Sequence, residues 1–307
     1  MSEPILLTAL QGDNPGAFLA ALGVLEVTTT AGFATRLRWT AAAGWRPVIE
    51  GMGSVHALLD VLEQDLRSTR DQEVLSFQYP KDEKKPQDLT GDLKPDPPRL
   101  RAWLEQLAAD VSPDTRSSVD LAVALVPEGG LDRGGKAKPT AFHFTAGQQK
   151  FLDMVNTLRD EVTRDHLEEG LFGPWLHPVK LPSLGWDVGN SREYALRAQD
   201  PSTDAKLAQP GFEWLGLRGL RFLPTWAHRG QTVTTGVKGS WKNGSFLWPI
   251  WQPALSAAEV ASLLAQRTRH WTPAERRARG IGTLYEARIN RHDQGGYGSF
   301  RPPAVVP

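Results

Sequence analysis

The sequence predicts an α+β fold, and three observations carry that prediction. Short apolar runs of strand length alternate with longer stretches whose apolar residues recur at helical spacing. Clusters of Gly, Pro, Asn and Asp separate them, as turns require. The chain has 307 residues, enough to bury a large core and to hold two domains. The expected organisation is a unit over residues 1–80, a polar loop over 81–98, and a mixed α/β remainder over 99–307 that ends in a basic segment.

The first unit is organised around residues 5–39. Ile5–Leu10 is an apolar run that fits a buried strand. Gly12, Asp13, Asn14, Pro15 and Gly16 break it; Asp13 or Asn14 can cap a helix, and Pro15 suits a first helical position. From Ala17 to Val27 the apolar residues recur at helical spacing, while Ala20 and Gly23 keep one face thin enough to lie close on a sheet. Thr35–Trp39 and Trp45–Glu50 read as strands joined in a hairpin. Ser54 can cap a helix with an apolar stripe of Val55, Leu58, Leu59, Leu62 and Leu66. Glu73–Tyr79 is expected as a fourth strand. The order β-α-β-β-α-β is that of a ferredoxin-like unit, with Ile5–Leu10 and Thr35–Trp39 as neighbours in one sheet.

Lys81–Pro98 is polar and proline-rich, a solvated loop. Arg99–Ala109 is an amphipathic helix and Val119–Val126 a strand. Residues 128–138 form a Gly-rich loop carrying Arg133, Lys136 and Lys138, without the spacing of a phosphate-binding P-loop; it reads as a simple loop or as a phosphate contact. A strand at Ala141–Phe144 then feeds a helix over about 148–162, which Thr145 can cap. A helix at Arg164–Leu171 ends at Gly173-Pro174, and Pro210–Phe222 packs as a helix or turn. Thr232–Lys238 and Ser245–Ile250 are β-rich around a Lys242-Asn243-Gly244 turn. Ser256 and Glu259 form a capping box for a helix to Gln266. Thr272 and Pro273 start another helix, and Thr283–Asn290 is a strand before a Gly-rich turn at 293–298.

Composition limits the chemistry. Lys+Arg and Asp+Glu both number 35, so nucleic-acid contact requires a local basic face. The absence of cysteine excludes disulfides, thiolate zinc sites and cysteine nucleophiles. No run reaches the roughly 18 apolar residues of a membrane helix, and the N-terminus lacks the basic region of a secretory signal, so a cytoplasmic location is expected. The seven histidines show no HxH or HxxxH pair, and His292-Asp293 stands without matching ligands; neither a metal nor a cofactor is expected. There is no Walker A motif and no G-x-S-x-G elbow. A metal-independent ribonuclease needs no fixed spacing, and His143, His228 and Tyr194 are its candidates.

Three stretches carry a resemblance: Asn14–Leu25 (NPGAFLAALGVL), Phe142–Met154 (FHFTAGQQKFLDM) and Trp186–Ser202, with a W-D…R-x-Y-A-L-R-x-x-D-P-S pattern. Together they are similar to type I-G (formerly I-U) CRISPR-associated proteins, most of all the helicase–nuclease extension family and the large-subunit-like group. The resemblance implies an accessory or effector-complex subunit in antiviral defence, with other CRISPR subunits and RNA or DNA as partners, that binds nucleic acid or bridges subunits without catalysis. A guide-processing or accessory nuclease is the rival reading, and a pure assembly protein the third.

Candidate contacts follow from charge and aromatic interleaving. The C-terminal segment holds the strongest local basic surplus, with Arg276, Arg277, Arg279, Arg288, Arg291 and Arg301 interleaved with Tyr285, Tyr297 and Phe300. It reads as a binding face or as a solvated one. His143, Thr145, Gln148 and Lys150 form a polar patch that either touches nucleic acid or caps a helix. Arg192, Tyr194 and Arg197 with Asp187 and Asp200 read as a buried Arg–Asp pair that orders a loop, or as a mixed binding cluster. The Trp241, Trp248 and Trp251 group reads as core or as a stacking platform.

Overall fold

Local capping sets the helices, and a computed structural model shows how they assemble; its described residues are 3–42, 44–69, 72–109, 111–113, 115–176, 180–190, 208–291 and 297–307. In chain order the elements are β1 (Ile5–Leu6), α1 (Pro15–Thr30), β2 (Arg36–Thr40), β3 (Arg46–Glu50), α2 (Val55–Ser68), α3 (Glu73–Ser76), β4 (Tyr79–Asp82) and β5 (Lys85–Thr90). There follow α4 (Pro97–Ala109), α5 (Arg116–Leu125), α6 (Phe151–Glu161), α7 (Arg164–Phe172) and α8 (Pro210–Gly219). The remaining elements are β6 (Thr225–His228), β7 (Gln231–Thr234), β8 (Val237–Lys238), β9 (Ser245–Trp251), α9 (Ala257–Leu264), α10 (Pro273–Ala278), β10 (Ile281–Arg291), β11 (Gly298–Phe300) and β12 (Ala304–Val305). The fold is mixed α+β with small antiparallel sheets.

The first sheet has the order β1-β3-β2, with β3 antiparallel to both neighbours. β1 and β2 therefore run parallel, joined by α1, but β3 lies between them, so the expected direct pairing does not occur. Only Ile5–Leu6 of the predicted Ile5–Leu10 strand pairs; Leu10 N–H turns back to the Leu7 carbonyl. The expected fourth strand is absent from this sheet. Glu73–Ser76 is helical, because Val74 and Leu75 are both buried, which a half-buried strand does not allow. Tyr79 pairs instead with Thr90 in the separate β4–β5 hairpin. That hairpin runs from the end of the first unit into the predicted polar loop, and Thr90, Asp92 and Leu93 at its end are buried.

α1 starts where the sequence places it. Asn14 is its N-cap, its side chain accepting from Gly16 N–H at 3.1 Å, and Pro15 sits at the first helical position. The helix is buried from Pro15 to Thr28. Its thin face meets a helix, not a sheet: a Cβ on Gly23 would lie 1.8 Å from the Leu215 carbonyl oxygen of α8. On its other side Phe18 packs among Trp39, Phe246, Trp248 and Trp251 at centroid distances of 6.0–6.2 Å. Each of two buried indoles has a backbone acceptor, Trp248 Nε1 on Gly12 O and Trp251 Nε1 on Leu37 O, both at 2.8 Å. Trp248 and Trp251 are thus core.

The second sheet has the order β11-β10-β9-β8, with β12 also on β10. Leu37 of β2 bridges Leu255, between β9 and α9, and its carbonyl accepts from Trp251 Nε1 of β9, which links the two sheets. One apolar cluster includes residues from Ile5 to Phe300. Two further expectations fail for a common reason. Residues 119–126 are not a strand: Leu121, Ala122, Ala124 and Leu125 are buried while Val123 is exposed, a helical pattern realised in α5. Residues 141–144 are irregular, with Phe142, His143 and Phe144 all buried, and α6 begins only at Phe151 with no side-chain cap.

Candidate functional site

The Gly-rich loop at 128–138 is shaped by one carboxylate. Asp132 Oδ1 accepts from the Gly134 and Lys136 N–H groups at 2.8 and 3.0 Å, and Leu131 bridges Ala137. Ala137 N–H donates to Pro95 O, which brings this loop against Lys94. Thr232 Oγ1 of β7 donates to Lys138 O at 2.6 Å. Facing it is the connection between β8 and β9, where Gly239 takes φ +87° and crowds Asn243 O, so a side chain there would be strained. This connection holds Trp241.

Between the two loops lies a groove of about 1250 Å³. The basic residues of its lining are Lys94, Arg133, Lys138 and Lys242; its acid is Asp132, whose carboxylate is already engaged by the loop backbone. A side pocket of about 250 Å³ continues past Trp241 to Lys238 and Arg291. Lys94, Lys138 and Trp241 are half-buried, whereas Arg133 and Lys242 are exposed.

Arg291, the last residue of β10, lines the side pocket. Its guanidinium donates to the carbonyls of Trp241 (3.1 Å), His143 (2.8 Å) and Ala141 (2.8 Å), and lies 3.5 Å from the centre of the Trp241 ring. Burial pushes its pKa down to about 9; three carbonyl acceptors hold the proton at neutral pH. Lys138 Nζ is 5.3 Å from the same ring. Burial pushes Lys138 down, and the Arg291 charge adds to the shift. Burial likewise pushes Lys94 down; Asp92 opposes this, while Arg291 and Lys150 reinforce it. The groove thus concentrates cations that repel one another in a partly desolvated setting, where an anion is favoured.

Behind Lys94, His143 is fully buried. Its Nε2 faces Asp92 Oδ1 at 2.9 Å and Thr145 Oγ1 at 3.2 Å, and its ring stacks on Phe151. Burial pushes the His143 pKa down against the pull of Asp92. For Asp92, burial acts upward, but the His143 hydrogen bond, with Lys94 and the Leu93 N–H, brings the carboxyl below its usual range. The pair is neutral imidazole with carboxylate. Thr145 and Asp92 share one ring nitrogen, and Nδ1 has no partner among the described residues, so this is not a relay from a base through the ring to a nucleophile.

The structure draws some of the predicted contacts together and scatters the rest. Arg291, His143 and Lys150 lie at the groove or directly behind it, but the first two are buried anchors, and Lys150 Nζ donates to Gly147 O at 3.1 Å. Gln148 is exposed, and Thr145 caps no helix. Arg276 is buried, donating to the carbonyls of Trp271, Val306 and Pro307. Arg277, Arg279, Arg288 and Arg301 are exposed; Arg279 stacks on Trp271 at 4.7 Å and donates to Glu275 O. α10 leads into the start of β10, whereas Arg291 ends that 11-residue strand, roughly 33 Å away at about 3.3 Å per residue. Tyr297 is half-buried against Gly147. His228 is exposed on β6, apart from buried His143. Tyr194, Arg192, Arg197, Asp200 and His292-Asp293 lie outside the described residues. Asp187 instead accepts from Asn14 Nδ2 and Gly189 N–H. Among the described residues no three His, Cys, Asp or Glu side chains gather as metal ligands, and no helix is long and apolar enough to cross a membrane.

Sequence reasoning missed Lys94, Asp92 and the role of Trp241. The available signal was Leu93-Lys94-Pro95, an apolar residue and a proline flanking a lysine inside an otherwise polar run. Neither the models of known protein families nor the curated proteins match this chain.

Proposed function

We propose that this chain is a nucleic-acid-binding protein without catalysis, serving as a subunit of a type I-G CRISPR effector complex in the cytoplasm. The observation that carries the binding reading is the groove, whose lining holds half-buried Lys94 and Lys138, with Lys138 and Arg291 both set against the Trp241 ring. The resemblance at Asn14–Leu25, Phe142–Met154 and Trp186–Ser202 supports the CRISPR reading. The order β1-β3-β2, with α1 joining β1 to β2, supports a ferredoxin-like reading of residues 1–80, although the fourth strand of that unit is not in this sheet. Buried His143 is removed as the general base of the ribonuclease alternative, since a general base must reach its substrate.

The test is binding of labelled RNA and DNA by the full chain over a salt series. Wild type binds with a negative log–log salt slope, and the Lys94→Gln/Lys138→Gln variant lowers its magnitude by about 0.7 per lost phosphate contact on a single strand, roughly 1.4 in all. Absence of binding to any nucleic acid at low salt would sink the binding reading and leave an assembly role. A gene neighbourhood without a repeat array or type I-G genes would sink the CRISPR reading.

A further inference from the structure

We infer that the groove beside Trp241 takes a single strand and rejects a duplex, gripping the strand by its phosphates irrespective of base sequence. The inference rests on the binding reading above and narrows it to a ligand class. Its first ground is where the cations sit. Lys94 and Lys138 are half-buried in the wall of a cleft of about 1250 Å³. That space exceeds the roughly 300–1,000 Å³ of small-molecule sites and suits a polymer segment.

A duplex carries its phosphates on the outside of a rod that stays stiff over about 50 nm. Such a surface meets protruding basic residues; it cannot fold its backbone into a cleft. A single strand has a freely bending backbone and can lay successive phosphates along the cleft wall. Exposed Arg277 and Arg288 lie outside this lining; exposed Arg133 and Lys242 belong to it, so it is the half-buried pair Lys94 and Lys138 that a single strand reaches and a rod does not.

The second ground is how Trp241 is used. An aromatic residue in a single-strand groove commonly offers its face to a base. Here the Arg291 guanidinium lies 3.5 Å from the ring centre, and Lys138 Nζ stands 5.3 Å from it. The ring is a support for cations: it holds Arg291 in place while Arg291 anchors the loops at 141–143 and 241. Recognition then rests on charge along the backbone, which carries no sequence information. Lys138 acts as a point charge in this role, so an arginine can replace its charge.

The experiment is fluorescence anisotropy with the full chain at low salt. The probes are a labelled single strand of about 12 nucleotides, within the site sizes of known single-strand grooves, a second single strand of unrelated sequence, and the blunt duplex of the first. The expected result is similar affinity for the two single strands and weaker duplex binding, on the order of tenfold or more. Lys94→Gln/Lys138→Gln should lose single-strand affinity on the order of tenfold, while Lys138→Arg keeps it; circular dichroism verifies that each variant is folded. Equal binding of duplex and single strand, both lost in the double Gln variant, would overturn the single-strand inference and leave the binding reading standing. A strong preference between the two single strands would overturn backbone recognition. Single-strand binding unaffected by the double Gln variant would overturn the groove as the site. Absence of binding by every probe would overturn the binding reading itself.

Discussion

The two ends of β10 hold arginines of the same formal charge in opposite situations. At its start, beside α10, Arg277 is exposed, and exposed Arg279 lies on the Trp271 ring. At its end, Arg291 is buried and holds three carbonyls of two different loops. Water screens an exposed guanidinium, so its field falls away within a Debye length of about 8–10 Å. A buried cation is screened far less, and here it adds to the potential of Lys138 and Lys94. The number of basic residues in a segment therefore says little about where an anion goes; depth and neighbouring cations decide it. Arg276 sharpens the contrast, since one residue before the exposed Arg277 it is buried and ties α10 to Val306 and Pro307.

The largest effect on stability is expected from Arg291→Ala. It leaves the Trp241, His143 and Ala141 carbonyls without their donor and removes the cation from the Trp241 ring. At 1–3 kcal/mol for each buried group left unsatisfied, offset in part by relief of a buried charge, the loss is roughly 3–5 kcal/mol. Urea denaturation measures it. A loss below about 1 kcal/mol would mean that the anchor is dispensable and that the contrast between the two ends of β10 is not energetic. Arg276→Ala comes next, at about 2 kcal/mol, because two of its three acceptors belong to half-buried Val306 and exposed Pro307, where water can substitute more readily. The same denaturation series ranks the two.

Why the sequence showed one arginine class and not the other is a matter of locality. Caps are local, and Asn14, Ser54, Ser256 with Glu259, and Thr272 with Glu275 all act at the helix starts where the sequence places them. The strands of the first sheet and the long β10 were foreshadowed by apolar runs and turns, but the order β1-β3-β2, with β3 between the two strands expected to pair, was not. Residues 73–76 and 119–125 were misread because a short apolar run satisfies both a two-residue and a 3.6-residue period, and tertiary burial chooses between them. The groove was the least legible feature. Lys94, Lys138, Trp241 and Arg291 come from four separated segments, each polar or aromatic for reasons visible only once Ala137 N–H meets Pro95 O and β10 reaches residues 141–143. Arg276 and Arg277 look identical in sequence, and only the fold places one of them against the C-terminal carbonyls.

A pH titration probes the buried side of the same contrast. Burial lowers the His143 pKa below its ordinary value, and the native ring therefore stays neutral while an unfolded His takes up a proton. Asp92 is likewise held below its ordinary range in the fold. In both cases the unfolded chain binds more protons as pH falls, so stability decreases on acidification. The first loss begins as pH drops below about 6.5; the second follows between the ordinary Asp value, about 3.9, and the depressed native one. Asp92→Asn should remove the lower limb and leave the upper one, as read from denaturation midpoints across pH. A profile in which wild type and Asp92→Asn run parallel down to the lowest pH would show that the His143–Asp92 contact contributes no such linkage.

The smallest effect is expected from the arginines that composition marks most strongly. Arg277 and Arg288 are exposed, and a solvated arginine away from special features changes stability by no more than about 0.5 kcal/mol when truncated. Arg277→Ala/Arg288→Ala should therefore unfold at nearly the wild-type urea midpoint. Its affinity for a single strand should also stay close to wild type, with the salt slope unchanged within error, because neither residue lines the groove. The comparison partner is Lys94→Gln/Lys138→Gln, which removes the same two charges from the cleft. If charge alone governed binding, both variants would lower the slope equally, by about 0.7 per contact on a single strand. If depth governs it, only the lysine variant moves. A slope that falls in the arginine variant and holds in the lysine variant would reverse the assignment, placing the contact on the exposed arginines of α10 and β10 and making the groove a structural junction between loops.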